Sequence, residues 1–123
     1  MDRSAKHPLL VRTKKFAHEC VKITSTLPKN RLCNVISYQL IKSATSSAAN
    51  YRAAFFAQSK AAFSAKLSIV IEELDESKFW IEFLRDENMI SPDQYVSVLK
   101  ESNELLSILI SSRMTLQGKK RNE

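Results

Sequence analysis

The chain has 123 residues and a mass of 14.0 kDa, with 44% hydrophobic and 26% charged residues, one Gly, three Pro and a net charge of +6. That length supports one domain, 1–123, with its own core, and that apolar fraction excludes a chain disordered for want of hydrophobic residues. A single Gly excludes the clustered glycines of phosphate-cradling loops, and sparse breakers fit long helices rather than a many-stranded β fold.

The first predicted helix covers about 8–27. Pro8 suits a first helical turn, where its missing N–H has no partner to lose. Leu9, Phe16, Cys20, Ile23 and Leu27 recur at helical spacing as one apolar stripe, and Pro28-Lys29-Asn30 ends it. The second helix covers about 32–54, with Val35, Ile36, Leu40, Ala44, Ser47, Ala48 and Tyr51 as its inner stripe. Its middle, 43–49, is almost all small residues, which lets a neighbouring helix approach closely.

The third helix, about 60–86, is the longest, with Ser59 as N-cap. Phe63, Leu67, Val70, Ile71, Leu74, Ile81 and Leu84 form its stripe, and Phe79, Trp80 and Phe83 widen the apolar surface near its end. At ~1.5 Å per residue it spans ~40 Å. The fourth helix, about 92–116, opens on Ser91-Pro92-Asp93-Gln94, a Ser-x-x-Gln capping box with Pro at the first helical position. Tyr95, Val98, Leu99, Leu105, Leu106, Leu109 and Ile110 follow, and 117–123 is read as a frayed basic tail. Four helices with short connections predict an all-α fold, an antiparallel up-down-up-down four-helix bundle.

No apolar run approaches the ~20 residues of a membrane span, so no membrane partner is expected. The polar N-terminus lacks the apolar segment of a secretion signal. Two cysteines are too few for a secreted disulfide framework, so Cys20 and Cys33 are expected as small core residues of a cytoplasmic protein.

The net charge conceals an asymmetry. Residues 1–31 carry eight basic and two acidic residues, and 32–71 carry four basic and none acidic. Residues 72–104 reverse this with three basic and ten acidic, and 105–123 return to four basic and one acidic. One reading pairs complementary faces of the first and third helices, within a subunit or between subunits. The other assembles Arg12, Lys14, Lys15, Lys22, Lys29, Arg31 and Lys42 into a basic surface for the phosphate backbone of RNA or DNA. Such a footprint gives salt-sensitive binding with little sequence preference, because counterion release rewards charge rather than base identity.

No catalytic pattern accompanies these charges. His-x-x-x-His, Cys-x-x-Cys and nucleophile-elbow motifs are missing, and no Glu-x-x-His supports a di-iron bundle site. A non-enzymatic protein with no cofactor is therefore expected. The acidic run 72–76 places Glu72 and Glu76 on one helical face, with Arg52, Lys60 or Lys66 expected to neutralise it. A divalent-metal site is the other reading of that run.

Residues 43–84 carry a resemblance. Ser43-Ala44-Thr45-Ser46-Ser47-Ala48-Ala49-Asn50-Tyr51-Arg52-Ala53, Ser59-Lys60-Ala61-Ala62-Phe63, Lys66-Leu67-Ser68-Ile69, Glu72-Glu73, Glu76 and Phe79-Trp80-Ile81-Glu82 resemble the bacterial four-helix-bundle family. That family is also called the 23S ribosomal RNA intervening-sequence proteins. The resemblance extends over about 9–112 and is most specific in its middle third. It implies an antiparallel four-helix bundle assembled as a homopentamer, of unestablished biochemical function. It further implies motif or assembly roles for Asn50, Tyr51, Arg52, Lys60, Phe63, Lys66, Glu73, Glu76 and Trp80, while the aromatic pair Phe55-Phe56 is expected at a buried or intersubunit contact on its own chemistry. The chain is also similar to the accessory variability protein of diversity-generating retroelements, a pentameric nucleic-acid-binding bundle that works with a reverse transcriptase. Ala44 and Ala48 stand where the family pattern has Gly, and Ala53, Phe56, Gln58 and Ala62 replace charged positions. Loss of charge at Phe56 and Gln58 argues against RNA contact at that turn, and paired aromatics there fit an intersubunit contact. Self-association, RNA or DNA, and another protein are thus the expected partners.

Overall fold

A computed structural model describes residues 7–118. Four helices follow in order: α1 (Pro8–Ser25), α2 (Arg31–Phe55), α3 (Lys60–Asp86) and α4 (Pro92–Leu116). They form the antiparallel bundle expected, with α1 and α3 each packed between α2 and α4 and therefore diagonal to one another. The basic tail from 119 onward lies outside the described residues.

Each connection has a local cause. Asn30 caps α2 by accepting the Cys33 N–H at 2.8 Å, and Ser59 caps α3 by accepting the Ala62 N–H at 3.1 Å. At α4 the Gln94 side chain accepts the Ser91 N–H at 2.9 Å, the return half of the capping box. The end of α3 falls at the expected position, about 86, through a closure that the sequence did not reveal. Asn88 turns left-handed at φ 56, Met89 N–H donates to the Leu84 carbonyl at 2.9 Å, and Asn88 N–H to the Arg85 carbonyl at 3.0 Å. This is a Schellman closure with Asn in place of the usual Gly.

Phe16, Ile36, Leu40, Leu67, Leu74, Ile81, Leu84, Leu105 and Leu109 fill the centre, and Cys20 and Cys33 are buried among them as expected. Val35 departs from its expected place. It is 52% exposed, because Cys33, Ile36 and Leu40 already define the inward arc and position 35 falls outside it. Five hydroxyls are fully buried, Thr13, Ser43, Ser47, Ser77 and Ser102, of which only Ser47 was expected on an inner stripe. Thr13, Ser47 and Ser102 donate to carbonyls of their own helices at 2.7–2.8 Å, which satisfies them without a partner helix. Ser43 and Ser77 differ: their Oγ atoms lie 2.8 Å apart across the α2–α3 interface. Each serine also has a carbonyl of its own helix within reach, Leu40 for Ser43 at 3.3 Å and Glu73 for Ser77 at 2.9 Å, so either hydroxyl can donate across the interface while the other donates to its own helix.

Candidate functional site

The seven cations read as one basic surface are dispersed over the bundle. Arg12 is engaged with α4: its Nε donates to Glu101 Oε2 at 3.0 Å, and its Nη2 to Oε1 at 2.6 Å. Glu104 lies 3.1 Å from the same Nη2. These hydrogen bonds, Glu101 first, outweigh desolvation and raise the guanidinium pKa further. Lys14 and Lys15 are exposed but point to opposite sides of α1. Lys14 lines a groove against α2, and Lys15 a hollow against α4. Lys22 approaches Glu19 at 3.4 Å. Lys29 and Arg31 are exposed at the opposite end of the bundle from Arg12, in the α1–α2 connection and the first turn of α2. Lys42 is on the outer side of α2, with its Nζ 6.0 Å from the Tyr38 ring centroid.

The expected pairing of the first helix with the third does not occur within the subunit. Those helices are diagonal, and the inter-helix ion pairs of Arg12 run to α4 instead. Neither Arg52, Lys60 nor Lys66 forms an ion pair with the acidic run among the described residues. The cation that acts on Glu73 is Lys42, from the neighbouring helix. Burial, then repulsion from Glu76, holds the Glu73 carboxyl above the usual carboxylate range, and Lys42 only partly opposes this. Glu76 accepts the Trp80 indole N–H at 3.1 Å, one turn along α3. Among the described residues no group of three or more His, Cys, Asp or Glu is placed to hold a metal ion.

The remaining motif residues divide by role. Tyr51 is buried and Phe63 packs at the core margin, so both are structural. Asn50 turns back on its own helix, its Nδ2 donating to the Ser46 carbonyl at 2.9 Å. Phe55 is half-buried against His7, ring centroids 4.8 Å apart, whereas Phe56 is 53% exposed. Arg52 and Lys60 are exposed and Lys66 is half-exposed on the same end of the bundle.

Two surfaces were only partly legible as sites in the sequence. On α3, Phe79 (51% exposed), Trp80 and Phe83 form a contiguous aromatic patch with ring centroids 4.9–6.4 Å apart. Between α1 and α2 lies an open groove of about 370 Å³, floored by Ala17, Ala48 and Ala49 and flanked by Lys14, His18 and Arg52. The small-residue run of α2 was the available signal, but which helix it would face was not.

No curated protein matches the chain. A crystal structure of a protein of unknown function from the S23 ribosomal protein family of Bacteroides thetaiotaomicron VPI-5482 is similar in sequence and fold. It shares 34% identity and a TM-score of 0.75, over 85% of this chain and 96% of that one. No helix here is long and apolar enough to cross a membrane among the described residues. The family model for the 23S rRNA-intervening sequence protein matches residues 8–111, nearly the whole bundle, and the chain belongs to that family.

Proposed function

We propose that the protein is a non-enzymatic, cytoplasmic bundle that assembles as a homopentamer and binds RNA or DNA through exposed basic residues. The observation that carries nucleic-acid binding is an excess of uncommitted cations. Lys14, Lys15, Lys29 and Arg31 are exposed and form no ion pair among the described residues. A cation without a carboxylate partner is available to displace counterions from a phosphate backbone. The resemblance of the sequence to the accessory variability protein of retroelements, itself part of this proposal, would imply a pentameric nucleic-acid binder. A mobility-shift titration with structured RNA at two salt concentrations tests it. Binding is expected to weaken steeply with salt, and no shift even at low salt would remove the proposal.

The aromatic patch of α3 favours a second reading, an assembly scaffold whose partners are proteins. Exposed contiguous aromatics mark contact surfaces more often than solvated ones. Under this reading Phe79→Ser with Phe83→Ser dissociates the oligomer in light scattering while helical content is kept. An oligomer of unchanged mass would exclude that patch as the subunit contact.

A further inference from the structure

The charge of this bundle is polarised along its long axis. At one end α1 and α3 begin while α2 and α4 finish, so residues 7–16, 44–71 and 105–118 share that half. They carry seven cations, Arg12, Lys14, Lys15, Arg52, Lys60, Lys66 and Arg113, and no Asp or Glu. The described residues of the other half, 17–43 and 72–104, carry seven cations and eleven carboxylates. Only Arg12 is drawn across the midpoint, to Glu101 and Glu104. Arg52, Lys14 and Lys60 therefore face solvent without a carboxylate among the described residues of their half.

Phe56 stands in the middle of this field. It caps α2 one helical turn beyond Arg52, 53% exposed, with its ring held edge-to-face by Phe55 at 5.1 Å. Phe55 is itself propped by His7 at 4.8 Å. Directly below, Arg52 and Lys14 flank the α1/α2 groove with its alanine floor. Thr45, Ala49 and Arg52 line the groove from one face of α2, and Phe56, four residues after Arg52, continues that row just beyond the groove's end. The turn itself carries Gln58 rather than a charge, but the fold supplies the cations from either side of it.

We infer that this end of the α1/α2 groove is a binding site for a single-stranded nucleic-acid segment, in which a base stacks on Phe56 and the adjoining phosphates lie on Arg52 and Lys14. The inference rests on the nucleic-acid reading above and gives it a location and a strand state. Duplex bases are already stacked on one another and offer no free face to Phe56, so the ring selects for unpaired strands. Neither stacking nor a phosphate contact reads the sugar, so RNA and DNA strands of one sequence bind alike. The footprint excludes the cations at the far end, Lys22, Lys29 and Arg31.

Fluorescence polarisation of the full chain with a labelled single-stranded pyrimidine oligonucleotide, and with its duplex, tests this. Phe56→Ala is expected to weaken single-strand binding by about tenfold, the scale of one lost base–aromatic stack, and to leave duplex binding unchanged. Phe56→Trp, which keeps a stacking face, retains the affinity. Arg52→Gln lowers the slope of log affinity against log salt by about 0.7, the value of one single-strand phosphate contact. Lys22→Gln changes neither. Circular dichroism confirms the helical fold of each variant, and light scattering its oligomeric state. If Lys22→Gln weakens binding while the Phe56 and Arg52 variants do not, this site is wrong and the broader nucleic-acid reading stands. If the unmodified chain binds no oligonucleotide at low salt, both fall. A Phe56→Ala variant that loses its oligomeric state makes that ring a subunit contact and overturns the site.

Discussion

At the scale of single residues, the interior tolerates polarity only where it is locally satisfied. Thr13, Ser47 and Ser102 return their protons to their own helices, and Ser43 and Ser77 share a hydrogen bond across an interface. The small side chains at that crossing let α2 and α3 approach closely. Cys20 is equally inert, since burial pushes its thiol well above the ordinary range. Glu73 is less comfortable. Its carboxyl titrates above the ordinary value in the native state, through burial and then through Glu76, and returns to that value on unfolding. Between the two values the native state binds more protons than the unfolded chain, so stability falls as pH rises through that window. Glu73→Gln is therefore expected to raise the melting temperature at neutral pH. Below the ordinary carboxylate range, at about pH 3, where the wild-type group is already protonated, the gain disappears. Melts of both proteins at the two pH values check the sign, and a lower melting temperature at neutral pH would contradict it.

At the scale of elements, three of the four helix starts were legible as chemistry: Pro8 in a first turn, Ser59 as a cap, and Ser91 with Gln94 as a capping box. Asn30 was read only as part of a helix stop, yet it is the α2 cap, because a turn this short makes one residue serve both ends. Replacing a side chain that accepts an orphan helix N–H costs about 1 kcal/mol. Asn30→Ala and Ser59→Ala are each expected to lose that amount in urea unfolding, with the slope of the transition unchanged. A loss confined to noise at both positions would mean that water replaces these caps. Val35 shows what periodicity leaves open. A Val–Ile pair on a helix contains one inward and one oblique position, and only neighbouring helices decide which is which. Here Ile36 is buried and Val35 exposed.

At the scale of the whole molecule, the four seams differ. The α2–α3 seam is closed by the Ser43–Ser77 bond and by apolar packing, whereas the α1–α4 seam holds two open hollows. That seam is clamped by Arg12 at one end and by Gln94 Nε2 donating to Thr26 Oγ1 at 2.7 Å toward the other. The clamp is partly exposed, with Arg12 and Glu101 side chains 29% and 30% accessible, so its contribution is modest, about 1 kcal/mol. Arg12→Gln is expected to speed amide exchange in the first half of α1 by about fivefold and to leave the central α3 amides unchanged. Equal acceleration in both helices would show that the bundle opens only as one unit. The axial charge separation also bears on assembly. In the proposed ring, if the bundles lie parallel to its axis, every basic end falls on the same rim.

Helix number, order, approximate bounds and the all-α class follow from the sequence alone, because periodicity and capping act within a few residues of one another. Membership of the family was legible there too, carried by the run from Ser43 to Glu82. Charge was legible as a contrast between basic residues 1–71 and acidic residues 72–104, and it was natural to pair the first helix with the third. Only the tertiary structure put those helices on a diagonal, tied Arg12 to α4, set Lys14 and Lys15 on different seams, and brought Arg52 and Lys14 to one groove. The reason is geometric. A hundred degrees of rotation per residue separates neighbours in sequence, and antiparallel packing joins residues dozens of positions apart, so a surface charge pattern exists only after the helices have chosen their partners.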